Sequence, residues 1–239
     1  MTASSDRNDL KRAAALKAVE QVESGMVLGL GSGSTAAFAV EALAARIANG
    51  LRVVAIPTSE ATAVQARRLG VPLSSFDEHR RVDLTIDGAD EVERGTLHLI
   101  KGLGGALLHE KIVAAGSDRL VIVVDGSKLV DRLGEKVPVP VEVVVFGWQV
   151  ASDAIAALGA KPRLRIGDAN APFVTDEGNY ILDCGFGPIA SPERLEAELA
   201  SIVSVVESGL FINRATEVIA ATEQGIEILR PLAVAAKTR

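Results

Sequence analysis

Residues 82–91 run Val-Asp-Leu-Thr-Ile-Asp-Gly-Ala-Asp-Glu, an apolar segment that ends in a cluster of carboxylates. The apolar part predicts a strand over Val82–Ile86, and Asp87-Gly88-Ala89-Asp90-Glu91 forms the loop after it. A glycine-rich segment, Lys101-Gly102-Leu103-Gly104-Gly105, follows shortly. In a parallel α/β sheet the loops beyond the strand ends build the ligand site. We therefore predict a site where carboxylates and an ammonium group surround glycine-rich backbone.

Short apolar runs alternate with amphipathic segments on both sides of this stretch. We predict strands at 26–30, 51–56, 82–86 and 120–124, and helices at 10–22, 35–48, 60–69 and 105–115. Strands alternating with helices predict a parallel sheet with right-handed crossovers.

The pattern changes after residue 133. We predict strands at 139–146, 163–166 and 202–206 and helices at 148–158 and from Ser191-Pro192. We also predict a hairpin of 173–175 with 180–182 around the turn 176–179, and a second hairpin around 224–225. This order resembles a split β-α-β unit. The fold class is therefore α/β: a Rossmann-like parallel sheet domain (1–133 and 211–239) with a smaller α+β, ferredoxin-like domain (134–210).

Composition narrows the classes of partner. The net charge is −6 without a basic block, which argues against nucleic acid or an anionic membrane. Cys184 is the single cysteine, so no intrachain disulfide can form, and this fits a reducing cytoplasm. The polar start of the chain lacks a signal-peptide core, and no apolar run reaches membrane-spanning length.

The segment Gly31-Ser32-Gly33-Ser34-Thr35-Ala36 has the spacing of a dinucleotide-binding turn. The acid expected at the end of the next strand is missing, because Pro57-Thr58-Ser59 stands there. What remains is a hydroxyl-rich loop at a helix N-terminus, which favours a phosphate dianion. The alternative is a plain strand-to-helix turn.

Asp87, Asp90 and Glu91 allow three interpretations. Carboxylate oxygens can hold Mg²⁺, they can accept hydrogen bonds from sugar hydroxyls, or they can form a solvated acidic turn. Lys128, which follows the strand at 120–124, is either an anion contact or an exposed loop lysine.

Glu110 has only apolar neighbours on its helix face: Ala106, Leu107, Val113 and Ala114. A carboxylate on an apolar stripe is partly desolvated, which disfavours its charged form and makes it a better base. The alternative is an acid at the edge of the helix that reaches water.

These motifs together resemble the type A ribose-5-phosphate isomerase family, and the likeness covers nearly the whole chain. Further matching segments are Pro138–Glu142, Phe173–Asp176, Gly178–Asp183 and Gly209–Asn213. The resemblance implies interconversion of ribose 5-phosphate and ribulose 5-phosphate, a sugar-phosphate substrate, no metal or organic cofactor, and a homodimer or homotetramer.

The resemblance also assigns roles to residues. It makes Glu110 the proton-transferring base, Asp87 and Asp90 the sugar-binding and ring-opening acids, and Lys101 with the following glycines the loop near the reacting carbons. On chemical grounds we expect Lys101 and nearby N–H groups to stabilise the developing oxyanion. Substrate-binding positions are Ser32, Gly33, Ser34, Thr35, Asp87, Gly88, Ala89, Asp90, Lys101, Gly102, Leu103, Gly104 and Lys128, and Lys11 is a further candidate for the phosphate.

Two positions depart from the family pattern: Leu103 stands where many members have glycine, and Ser32 where many have threonine. Two rival functions remain. The first is a non-catalytic sugar-phosphate sensor. Bacterial regulators of that kind carry a DNA-binding helix-turn-helix, whereas one predicted helix precedes the sheet here and the net charge is acidic, so this function is disfavoured. A nucleotide-dependent oxidoreductase is disfavoured by the missing ribose-binding acid.

Overall fold

The computed structural model describes residues 3–231, with side chains from Arg7 onward. The helices are α1 (Ala3–Val19), α2 (Ser34–Ala48), α3 (Glu60–Arg68), α4 (Leu107–Ala115), α5 (Trp148–Ala157) and α6 (Pro192–Ala200). The strands up to residue 130 are β1 (Val27–Leu30), β2 (Val54–Pro57), β3 (Leu84–Asp87), β4 (Glu91–Glu93), β5 (Leu99–Ile100), β6 (Leu120–Asp125) and β7 (Leu129–Val130). The later strands are β8 (Val139–Val143), β9 (Lys161–Leu164), β10 (Tyr180–Gly185), β11 (Val205–Ser208), β12 (Leu210–Phe211), β13 (Glu217–Thr222) and β14 (Gly225–Leu229).

The main sheet has six strands in the order β14-β13-β6-β3-β1-β2. All neighbours are parallel except β13 and β14, which form an antiparallel hairpin at the edge. The inner strands are buried on both faces, as β6 shows along its whole length. A parallel sheet needs helices on its faces to achieve this burial, and α1 and α2 supply one layer. The predicted parallel sheet is confirmed, and so is the return of the last hairpin to it.

A separate antiparallel sheet has the order β11-β8-β10-β9, with α5 and α6 as its helices. We call it the antiparallel sheet. Its β-α-β-β-α-β connectivity is the ferredoxin-like pattern that the sequence predicted. Its core also takes in Ile100, Val130 and Leu210, which belong to the short strands β5, β7 and β12 outside this sheet.

The predicted hairpin of 173–175 with 180–182 is wrong. The turn exists, because Thr175 and Asn179 are joined by a backbone hydrogen bond of 2.9 Å. Strand β10, however, lies between β8 and β9, so both of its edges are occupied. Phe173 instead donates its N–H to the carbonyl of Arg165. The turn residues 176–179 identified the turn, but they did not show that β10 pairs with β8 and β9 instead of with 173–175.

Four short strands, β12, β5, β4 and β7, form a small mixed sheet that the sequence did not predict. Strands of two or three residues are too short to show a period-2 pattern. The first helix was placed at 10–22 and is Ala3–Val19, and the strand placed at 139–146 ends at Val143. Ser191 is the N-cap of α6, but its side chain makes no capping hydrogen bond.

Candidate active site

The ends of β1, β3 and β6 lie side by side, and the loops after them meet in one cleft. Its lining residues come from α1, the start of α2, these loops, the Lys101–Gly105 loop and α4. They are Lys11, Ser32, Gly33, Ser34, Thr35, Gly88, Ala89, Asp90, Lys101, Gly102, Gly104, Glu110 and Lys128. Thus most of the predicted site residues line one cleft. Asp87 lies beneath it, and Leu103 is outside the lining.

The floor of the cleft is a buried ion cluster. The Lys101 ammonium lies 3.0 Å from Asp87 Oδ2 and 3.1 Å from Glu110 Oε1, and it also donates to the carbonyl of Gly88. All three charged residues are at most 5% exposed. Two carboxylates sharing one ammonium leave the cluster with a net negative charge in a dry environment, so its protonation state is poised to change.

Glu110 is as desolvated as its apolar helix face predicted. Burial raises its pKa to about 8, although the Lys101 ammonium opposes the shift, and the nearby Asp87 carboxylate adds to it. Its Oε1 faces Lys101, while its Oε2 is buried without a hydrogen-bond partner among the described residues. Glu110 therefore has one oxygen held in place and a second one with free lone pairs.

Asp87 is held by backbone as well as by Lys101. Its Oδ1 accepts the N–H groups of Ser32 at 3.1 Å and Gly88 at 2.7 Å. A Cβ on residue 31 would lie 2.0 Å from this oxygen, so only glycine at 31 permits the approach. Burial raises the pKa of Asp87, and Lys101 opposes that shift.

Lys101 remains charged despite its burial. Desolvation lowers the pKa of its ammonium, but the Asp87 and Glu110 carboxylates outweigh it and raise the pKa overall. The backbone is fixed as well, since Lys101 donates its N–H to Gly209 at 2.9 Å. A Cβ on residue 209 would lie 2.2 Å from the Lys101 carbonyl oxygen.

The other end of the cleft offers positive charge. Helix α2 begins after Gly33, its first turn holds no acid, and among the described residues no side chain caps its N-terminus. The Lys11 ammonium donates to Ser34 Oγ at 2.9 Å, and Lys128 lines the cleft as well. Free N–H groups, a helix dipole and two ammonium groups suit an anion.

The Ser32 hydroxyl has an unexpected environment. It donates to Ser59 Oγ at 2.7 Å and lies 2.8 Å from Thr58 Oγ1. Thr58 is fully buried. Thus Ser32 lines the cleft, but its side chain ties the loop to the residues after β2. The sequence placed Thr58 and Ser59 where a ribose acid was missing and gave them no role.

The three acids of the 87–91 loop are not brought together. Glu91 is fully buried and accepts the N–H groups of Gly134 at 2.6 Å and Val137 at 3.0 Å. Asp90 instead accepts the Leu103 N–H at 2.9 Å. The interpretation as a solvated turn is wrong for Asp87 and Glu91, and Glu91 fixes the neighbouring 134–137 segment. Within residues 3–231 no group of three or more histidine, cysteine or acidic side chains has metal-binding geometry.

Leu103 contributes to the candidate site through its backbone N–H. Its side chain is 38% exposed, and its N–H holds Asp90 beside the cleft. The departure from glycine at this position therefore leaves the cleft open. A contact that the sequence did not predict lies on the other side of this loop, where Arg165 donates to its carbonyl groups.

Comparisons with known proteins decide the family. Residues 54–225 match the family described as ribose 5-phosphate isomerase A (phosphoriboisomerase A). The chain belongs to this family. Its reaction is the interconversion of ribose 5-phosphate and ribulose 5-phosphate in the pentose phosphate pathway.

Individual relatives of the ribose-5-phosphate isomerase A family agree over nearly the full chain. The protein named ribose-5-phosphate isomerase A in Gloeobacter violaceus is 60% identical over 228 residues, covering 95% of this chain and 99% of the relative. That of Gluconobacter oxydans is 54% identical over 227 residues, covering 95% and 98%.

Solved structures match the fold of this chain closely. A D-ribose-5-phosphate isomerase in complex with phospho-erythronic acid superposes with a TM-score of 0.91 at 37% identity, covering 94% of this chain and 99% of that one. Ribose 5-phosphate isomerase A from Methanocaldococcus jannaschii gives 0.89 at 43% identity, covering 93% and 98%. The predicted fold class is confirmed. Among the described residues, no helix has the length and apolar character needed to cross a membrane.

Proposed function

We propose that the cleft interconverts D-ribose 5-phosphate and D-ribulose 5-phosphate by proton transfer through an enediolate. The observation that carries the assignment of steps is the Lys101 ammonium buried between Asp87 and Glu110, with an anion-binding surface at the other end of the cleft. An aldose–ketose isomerase must open the sugar ring, move a proton from C2 to C1, and stabilise the intermediate oxyanion. Each step has a suitable group here.

We assign proton transfer to Glu110. A base with a pKa of about 8 is stronger than an ordinary carboxylate, yet part of it is ionised near neutral pH. The unpartnered Oε2 supplies the lone pair that takes the C2 proton and returns it to C1. Because Lys101 fixes Oε1, the carboxylate does not have to reorient before it reacts.

Lys101 is proposed to stabilise the enediolate. Its charge is maintained by the two carboxylates, and it lies at the rim of the glycine-rich loop whose N–H groups are further donors. Preorganised donors in a dry site stabilise a developing oxyanion without reorganisation. When Glu110 accepts a proton, the cluster loses one negative charge, and the ammonium becomes free to serve the substrate oxygen.

Ring opening is assigned to Asp87, whose raised pKa lets it carry a proton between the ring oxygen and the anomeric hydroxyl. Asp90, aligned by the Leu103 N–H, accepts hydrogen bonds from sugar hydroxyls.

The phosphate binds at the N-terminus of α2 with Lys11, Ser34, Thr35 and Lys128. Neither a metal nor an organic cofactor enters this scheme.

The test is turnover of ribose 5-phosphate beside unphosphorylated ribose. We expect formation of ribulose 5-phosphate and very poor conversion of ribose, because the phosphate contacts orient the reacting carbons. Absence of conversion of ribose 5-phosphate would contradict the proposed function. Equal turnover of the two sugars would contradict the phosphate site.

We further propose that residues 1–133 and 211–239 form the catalytic domain and 134–210 the smaller one. The return of β13 and β14 to the main sheet supports the division; residues 1–2 and 232–239 lie outside the described part. Controlled proteolysis should cut first near the two boundaries, and early cuts inside β6 or β8 would argue against it.

A homodimer or homotetramer in the cytoplasm completes the proposal. Phe146 is 92% exposed and Val203 87% exposed, and a hydrogen bond of 2.9 Å from Val144 N–H to the Ser204 carbonyl joins their segments. Exposed apolar side chains grouped in this way suit a protein contact. Light scattering should show an oligomer for the wild type and a weaker oligomer for Phe146→Ser. A monomeric wild type would contradict the proposed oligomer.

A further inference from the structure

The Lys101–Gly105 loop depends on contacts from outside its own domain. Gly102 and Gly105 have φ values of +102° and +89°, a conformation that favours glycine. Glycine loses more conformational freedom on folding than any other residue, so a loop with three glycines is costly to order. Its internal support within the described residues includes the turn hydrogen bond from Gly105 N–H to the Gly102 carbonyl at 3.0 Å.

Arg165, directly after β9 in the antiparallel sheet, supplies much of the external support. Its Nη1 donates to the carbonyl oxygens of Gly102 at 2.9 Å and Leu103 at 3.0 Å. Its Nε donates to Asp183 Oδ2 at 3.0 Å, and its Nη2 pairs with the other oxygen of that carboxylate. The guanidinium is thus fixed by a two-point contact with Asp183 and presents its remaining donors to the loop.

The guanidinium is largely shielded from water, and of its two bonds to the loop the one to Gly102 is partly buried while the one to Leu103 lies at the surface. The Arg165 side chain is 11% exposed, and charge-assisted hydrogen bonds are stronger where water is excluded. Phe173 completes the arrangement, because its ring centroid lies 5.8 Å from Arg165 Cζ. A Cβ on residue 105 would lie 2.4 Å from the same ring. Arg165 therefore contacts the first half of the loop, Phe173 packs beside Gly105 in the second half, and Asp183 holds Arg165 in place. We call these three residues the loop clamp.

The geometry of the peptide unit links the loop clamp to the cleft. In a trans peptide the carbonyl and the next N–H point to opposite sides. With the Gly102 carbonyl on Arg165, the Leu103 N–H is directed at Asp90, where it makes its 2.9 Å hydrogen bond. With the Leu103 carbonyl on Arg165, the Gly104 N–H points away from Arg165, and Gly104 lines the cleft.

We propose that Arg165 is a positioning residue for the isomerisation, and that through it the antiparallel sheet sets the shape of the active loop. The inference rests on the proposed function. Arg165 touches neither Glu110 nor the phosphate end of the cleft; it acts through the loop that carries Lys101 and aligns Asp90. Its loss is therefore expected to reduce turnover more than substrate binding.

The experiment compares Arg165→Ala, Arg165→Lys and Arg163→Ala. Arg163 is exposed on β9, two residues before Arg165, and serves as the matched control. Misplacement of an active loop by about 1 Å can cost about a hundredfold in rate, so we expect kcat of Arg165→Ala to fall by about tenfold to a hundredfold while KM changes little. Arg165→Lys keeps the charge but lacks the planar guanidinium, which presents several N–H donors in a fixed geometry, so its kcat should also fall. Arg163→Ala should match the wild type.

Two further readouts separate positioning from a purely structural role. Guanidinium ion at low millimolar concentration should restore part of the kcat of Arg165→Ala and leave Arg163→Ala unchanged. Hydrogen exchange of the loop amides should accelerate in Arg165→Ala, with exchange of the main sheet unaltered. If the alanine variant does not fold, Arg165→Lys decides the question.

The proposal is overturned if a folded Arg165 variant keeps kcat within about twofold of wild type, a change no larger than an ordinary surface substitution gives. Unchanged loop exchange would overturn it as well. A wild-type protein without isomerase activity would instead contradict the proposed function, and the exchange measurement would still test the loop clamp.

Discussion

The two ends of the cleft differ in burial and in charge. At the reacting end, Lys101 is buried and ion-paired with Asp87 and Glu110 before substrate arrives. At the phosphate end, Lys11, Lys128 and the start of α2 present positive charge that no carboxylate of the cleft lining neutralises. Proton transfer needs a perturbed pKa and fixed geometry, whereas capture of a phosphate needs donors that are free. The comparison predicts that substitutions at the two ends will fail in different ways.

The largest effect is expected from removing the buried ammonium. Lys101→Met leaves two carboxylates without their counterion, and breaking a buried pair costs about 3–5 kcal/mol of unfolding free energy. Urea denaturation of Lys101→Met beside Lys128→Ala measures the contrast, since Lys128→Ala should stay within about 0.5 kcal/mol of wild type. Equal stability of all three proteins would show that the cluster is not dry.

Removing the ammonium at the other end should affect substrate capture. Lys128→Ala loses a charged hydrogen bond worth about 1.5–3 kcal/mol, which corresponds to a rise in KM of about tenfold to a hundredfold. The Glu110 and Lys101 geometry is untouched, so kcat should change far less. Steady-state kinetics on ribose 5-phosphate tests this, and a loss confined to kcat would contradict the division between the two ends.

The pH dependence should follow the reacting end. Because burial raises the folded-state pKa of Glu110 to about 8 from 4.5, the folded protein holds more protons than the unfolded chain between these values. Its stability should therefore fall as pH rises through that window. At the same time kcat/KM should rise with pH, with a limiting slope of about tenfold per pH unit below the pKa.

Glu110→Gln is the matched control for this pH dependence. It should flatten the stability trend, because glutamine does not titrate. A wild-type kcat/KM that reaches its plateau near pH 5 would contradict the raised pKa.

The smallest effect is expected from metal removal. Of the carboxylates that Mg²⁺ would bind, Asp87 is already paired with Lys101 and Asp90 already accepts the Leu103 N–H. Exhaustive EDTA treatment should therefore leave kcat and KM unchanged. Activity that disappears with EDTA and returns with Mg²⁺ would mean that Asp87 and Asp90 hold a cation instead of sugar hydroxyls.

Sequence reasoning was most successful where the decisive information is local. The strand before Asp87, the glycine loops and the apolar face of Glu110 are periodic or compositional signals, and the structure places Glu110 in a buried position. It was least successful where long-range pairing decides. The contact of Arg165 with Leu103 spans 62 residues, and no local pattern distinguishes Arg165 from Arg163.

Glu91 illustrates the same limit. Next to Asp90 in the chain, it was grouped with the acids of the site. Successive side chains of a strand point to opposite faces, and Glu91 begins β4, where it binds backbone N–H groups of 134–137. The direction of a side chain at the end of a loop depends on the strand pairing that follows, which the sequence did not reveal for strands of two or three residues.

The central claim is that Glu110 is the base, and the most direct measurement is kcat of folded Glu110→Gln beside a binding titration with phospho-erythronic acid, the compound present in a solved relative. Glutamine keeps the volume of the side chain but cannot accept a proton from carbon. Loss of a general base costs about 10²–10⁴ in rate, so we predict a fall in kcat of that size with the dissociation constant little changed, since the phosphate contacts remain. A kcat within about threefold of wild type, too small a change for the loss of a general base, would contradict the account and assign proton transfer to another residue.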